Sequence, residues 1–262
     1  MAEKRLFEKP GVAVEALVDG AGPVVVMIPS LGRPAEDFDD LARRVARAGY
    51  SAVRIQPRGV GRSSGPMQNQ TLTDIAGDAA FVIASLAAPA VVIGHAFGQR
   101  AARALAASRP ELVRGVVTLA AGGKVPIPEK ARLALLACFD AKLSPEQHLE
   151  NVRYAFFAPG NDPSGWRDGW YPETARLQIA GTQATPLSSW WGGGRAPMLV
   201  VQGLQDAIAL PENGRSLKAE FGARVTLVEI DGAGHALLPE KPAEIAHAVL
   251  AFIDALPAQH RP

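Results

Sequence analysis

Short runs rich in β-branched and aliphatic residues recur along this chain, and nearly every one is followed by a segment with helical spacing. That alternation constrains the fold most, because it is the pattern of parallel strands joined by covering helices. Residues 24–28 form a continuous apolar run, which a strand buried on both faces requires. In 35–48, Phe38, Leu41, Val45 and Ala48 stand at helical spacing, and Gly49 offers a stop. Strands are expected at 52–55, 90–93 and 113–119, and helices at 74–86 and 97–108. Two earlier runs, 5–8 and 12–18, read as an opening hairpin. The rhythm lapses over 124–194, where helical and loop patterns carry no comparable strand. It returns with strands at 197–201 and 224–230 and helices at 213–221 and 243–256. The expected organisation is an α/β core formed by 1–123 and 195–262, interrupted by a helical insertion at 124–194.

Length and charge narrow the function classes. A chain of 262 residues suits one large α/β domain. Its formal net charge is +1, with no basic run, so nucleic acid and anionic membranes are not expected partners. Cys138 is the single cysteine, which excludes an intrachain disulfide and suits a reducing, cytoplasmic setting. No signal-peptide pattern opens the chain, and the apolar run at 24–29 is far below the roughly 20 residues that span a bilayer. No His-Glu-x-x-His or cysteine pair suggests a metal. Gly20, Gly22 and Gly32 do not form a dinucleotide fingerprint, so no cofactor is expected.

Gly94-His95-Ala96-Phe97-Gly98 lies between an expected strand and an expected helix. This is the spacing of the nucleophile elbow G-x-S-x-G, with alanine at the centre. The sharp turn needs small neighbours, which Gly94 and Gly98 supply. Serine at the centre would present a hydroxyl to a base, whereas alanine presents only a methyl. Asp206 follows the strand at 197–201 in Gly203-Leu204-Gln205-Asp206, and His235 follows the last strand in Gly232-Ala233-Gly234-His235. On these motifs, in this order, and on Arg58-Gly59-Val60-Gly61-Arg62-Ser63, the chain resembles the α/β-hydrolase superfamily over nearly its whole length. The resemblance implies a mostly parallel central sheet, helices on both faces and an inserted helical cap. It also implies catalytic positions at Ala96, Asp206 and His235. Its oxyanion hole would use the backbone N–H groups of Phe97 and Leu31. Pro29-Ser30 departs from the family's usual His-Gly before the second donor.

Each candidate has a plainer reading. His235 is otherwise a structural loop histidine, and Asp206 a turn brace. His95 is expected to pack beneath the elbow. His148, His247 and His260 are given no role, and Cys138 reads as a buried filler. Arg58 and Arg62 are either loop charges or partners for an acidic substrate. Trp166, Trp170, Trp190 and Trp191 all fall within the insertion, together with Phe139, Tyr154, Phe156, Phe157 and Tyr171. Either these rings form the insertion's own core, or Trp166, Trp170, Trp190 and Phe156 line a site for an apolar or aromatic small molecule. Residues 161–165 read as a turn and a hinge.

Four functions remain open at this point. The first is a hydrolase of a small ester-like substrate whose serine has been replaced, by design or natively. The second is a nucleophile-free enzyme using His235 and Asp206 as general base, for lyase, proton-abstraction or cofactor-free oxygenation chemistry. The third is a ligand-binding protein, and the fourth a scaffold without ligand.

Overall fold

The computed structural model describes residues 2–257, so His260 lies outside the described residues. Glu3–Lys9 (β1) and Val12–Asp19 (β2) pair antiparallel, and β2 pairs antiparallel with Ser51–Ile55 (β4). From there the sheet is parallel. It runs through Val24–Ile28 (β3), Ala90–His95 (β5), Val113–Leu119 (β6), Met198–Gly203 (β7) and Val225–Ile230 (β8). The strand order is β1-β2-β4-β3-β5-β6-β7-β8.

The side-chain alternation of each strand feeds two separate cores. Val25 and Met27 of β3 and Val91 and Ile93 of β5 face one side. There they meet Leu41 and Val45 of Asp39–Arg47 (α1) and Ile245, Val249 and Ile253 of Pro242–Ala255 (α8). Val26, Ile28 and Val92 face the other side. That side packs on Leu72–Ser85 (α2), Phe97–Ser108 (α3) and Glu212–Phe221 (α7). Thr71 caps α2 in a reciprocal box with Asp74.

Between β6 and β7 lie Glu129–Ala137 (α4), Pro145–Phe156 (α5) and Pro172–Gln183 (α6), with no strand among them. Ala131, Leu135, Val152, Phe156, Phe157 and Trp166 form a third apolar cluster there. Backbone and side-chain bonds tie this segment to the loop after β3. The Gly32 N–H donates to Gln178 Oε1 at 2.8 Å, Arg33 Nη1 donates to the Asp168 carbonyl at 2.6 Å, and the Tyr171 N–H donates to the Gly32 carbonyl at 2.9 Å. The segment's end behaves differently: Trp190 and Trp191 are buried in the sheet's own core beside α3. Among the described residues, no helix is long and apolar enough to cross a membrane.

Candidate active site

The turn from β5 into α3 holds Ala96 at φ 50°, ψ −108°, a left-handed conformation that costs a non-glycine residue about 1–3 kcal/mol. Close backbone approach dictates its neighbours. A Cβ on Gly94 would stand 2.2 Å from the Gly98 carbonyl carbon, and one on Gly98 would stand 2.0 Å from the Ile28 carbonyl oxygen. The start of α3 is thereby pressed against the end of β3 and the loop that follows. In that corner, the N–H groups of Phe97 and Leu31 have no hydrogen-bond acceptor among the described residues. Both residues line the same cavity as Ala96.

Asp206 follows β7 and is buried. Its Oδ1 accepts from the Ile208 and Ala209 N–H groups at 2.8 and 2.7 Å. Its Oδ2 accepts from His235 Nδ1 at 2.8 Å. A carboxylate that only accepts fixes the imidazole proton on Nδ1, which leaves Nε2 as the basic nitrogen. Glu240 anchors the loop carrying His235. Its Oε2 accepts from the Gly234 and Leu237 N–H groups at 2.9 and 3.0 Å, and its Oε1 accepts from the Ala158 N–H at 2.7 Å. From below, His95 Nε2–H donates to the His235 carbonyl at 2.7 Å. Complete burial pushes the His95 pKa down to about 3, so it stays neutral and positions its neighbour.

These residues open onto a cavity of about 400 Å³ beneath α4 and α6, walled by Leu31, Phe97, Leu135, Phe156, Ile208 and His235 among others. Asp206 stands behind His235, away from the wall. Of the four aromatic residues expected to line the site, only Phe156 does so. Trp166 packs edge-on against His95 at 5.9 Å and beside Phe156 at 5.2 Å, one layer behind the wall. Arg33 Cζ lies 4.5 Å from the Trp166 ring centroid and 4.7 Å from that of Trp170, holding both rings in a cation–π stack. Trp190 covers Arg103 at 4.8 Å and is core, not lining. All three indoles thus satisfy local packing and buried cations. Arg58 and Arg62 also point elsewhere: Arg58 forks onto Asp78 at 2.7 and 2.8 Å, and Arg62 pairs Glu15. Cys138 is buried, and burial pushes its thiol up to about 12. No group of three His, Cys, Asp or Glu side chains among the described residues is placed to hold a metal ion.

Arg100 and Arg132 line the cavity and were not singled out by the sequence reading. A signal existed for Arg100. It follows Ala96 by four residues, so on a helix the two share a face.

A sequence profile of the alpha/beta hydrolase family matches residues 25–248. The chain belongs to that family. Within the alpha/beta hydrolases, it is 31% identical over 101 residues to a 2-(acetamidomethylene)succinate hydrolase of Mesorhizobium japonicum, covering 38% of this chain and 36% of that protein. It is 28% identical over 274 aligned positions to the polyketide synthase ThaQ of Burkholderia thailandensis, covering 95% of this chain and 13% of that protein. Neither match reaches half the relative's own length. In three dimensions the chain shares its fold with an esterase from Exiguobacterium antarcticum, at a TM-score of 0.82 and 18% identity over 97% of this chain and all of the other.

Proposed function

We propose that this alpha/beta hydrolase hydrolyses a small ester-like substrate by direct attack of water, without an acyl-enzyme. The observation that supports the reading is the hydrogen-bonded His235–Asp206 pair, with His235 on the wall of the cavity that Ala96 also lines. Two N–H groups that have no acceptor among the described residues stand by the elbow, yet Ala96 offers only a methyl. Relatives named as a hydrolase and as an esterase support a carbonyl substrate.

In the proposed reaction, water occupies the space that a serine hydroxyl would take. His235 Nε2 removes its proton as the water oxygen adds to the carbonyl carbon. The carbonyl π electrons move onto oxygen, which is held by the N–H groups of Phe97 and Leu31. Collapse breaks the bond to the leaving oxygen, and His235 returns the proton to the departing alkoxide. Helices α4–α6 act as a lid that excludes bulk water.

A general base contributes typically about 10²–10⁴-fold, so His235→Ala should lower the turnover of short aryl esters by that factor. Asp206→Asn should do the same by presenting the wrong tautomer. Equal rates in wild type and His235→Ala would overturn the proposal.

A further inference from the structure

The cavity contains a cation with no counterion. Arg100 is half-buried on the wall, and among the described residues its guanidinium makes no hydrogen bond and no ion pair. Its Cζ lies 5.8 Å from the centroid of the Trp190 ring, and its Nη2 lies beside Gly122. Three features make this placement costly. Arg100 sits in the first turn of α3, where the macrodipole disfavours positive charge and no acidic residue offsets it. Arg103, fully buried three residues on, adds a second cation whose recorded hydrogen-bond partners are all neutral: Gln99 Oε1 and the carbonyls of Gly122 and Trp191. Among the described residues no Asp or Glu lines the cavity, while Arg132, exposed, also lines it. Burial accordingly holds the Arg100 pKa below the ordinary arginine value.

An anion in the cavity would relieve all three costs together. From this geometry we infer that the substrate carries a carboxylate, which the Arg100 guanidinium receives while the apolar body lies between Phe156, Leu135 and Ile208. Arg100 lies about 6 Å along the helix from Ala96, by the rise of four residues. The reacting carbonyl and the carboxylate are therefore separated by a short carbon chain. One planar fork suits a carboxylate, and the largely apolar wall suits a single charge on an aliphatic or aromatic acid. The inference rests on the proposed hydrolytic site for its carbonyl end, but the Arg100 contact is measurable without turnover.

The test is calorimetric binding of hexanoate against its neutral isostere hexanamide, in a low-chloride buffer, to wild type, Arg100→Gln, Arg100→Lys and His235→Ala. Wild type should bind hexanoate at least about tenfold more tightly, the scale of one charged hydrogen-bonded contact. Arg100→Gln should abolish the preference, Arg100→Lys should keep part of it, and His235→Ala should keep it whole. Equal binding of the two ligands by wild type would overturn the inference even if no variant folds, and so would a preference that survives in Arg100→Gln. In a parallel assay, monoethyl adipate should be hydrolysed with a lower KM than diethyl adipate. If neither ester is turned over but the hexanoate preference holds, the hydrolytic reading falls and the carboxylate site stands.

Discussion

Ala96 keeps a strained backbone without the side chain that such strain serves in a serine hydrolase. Restoring the hydroxyl is thus the sharpest question at the scale of one residue. In Ala96→Ser the new oxygen should point at His235, lose its proton to Nε2 and become nucleophilic. The Phe97 and Leu31 N–H groups would then stabilise a tetrahedral oxyanion, an effect of about 3–4 kcal/mol per donor where enzymes use it. We expect the variant to be labelled stoichiometrically by a fluorophosphonate that leaves the wild type untouched. It should also show a His235-dependent burst of product from an aryl ester. A folded Ala96→Ser protein that resists the probe would show that the corner between β3 and α3 is no longer shaped for acyl transfer.

At the scale of elements, the loop between β8 and α8 depends on a contact that crosses the chain. Glu240 gathers N–H groups from its own loop and, through Ala158 and the Asn161 amide at 2.7 Å, from the segment after α5. Glu240→Gln exchanges one acceptor oxygen for an NH2 group that faces donors. It should cost about 1–3 kcal/mol in urea unfolding and lower kcat more than it raises KM. Unchanged kcat with lost stability would make Glu240 a brace for the fold alone. Such contacts also mark where the sequence stops being legible. The β5–α3 elbow announces itself, because its glycine spacing is local and the strand before it shows as an apolar run. Glu240 and Ala158 are brought together only by the folded chain. The tryptophans teach the same lesson from composition. Their concentration within 124–194 marks an aromatic cluster, but whether an indole faces a ligand, His95 or Arg33 depends on which layer receives it. Phe156 reaches the wall because it ends α5 beside His235, at 5.6 Å between ring centroids.

For the whole molecule, the site makes a demand on stability that varies with pH. A formal net charge of +1 leaves little global repulsion near neutrality, so the dependence there belongs to individual groups. His95 is the clearest. Folded, it holds off its second proton until pH falls to about 3, whereas in the unfolded chain it takes that proton near the ordinary 6.5. Between those values the unfolded state binds more protons, so stability rises with pH through this window and is lost as pH falls. A gap of this size corresponds to about 3–5 kcal/mol, shed at up to about 1.4 kcal/mol per pH unit. Asp37 pulls the other way, since burial raises its pKa and its proton favours the folded state at low pH. Subtracting a His95→Gln variant isolates the histidine, and glutamine can still donate to the His235 carbonyl. Urea midpoints measured from pH 7 down to pH 4 should fall more steeply for wild type than for His95→Gln, whatever the offset between them at neutrality. Parallel curves would mean that water or a rearranged loop admits the proton, and that the floor beneath His235 is softer than its packing against Trp166 implies.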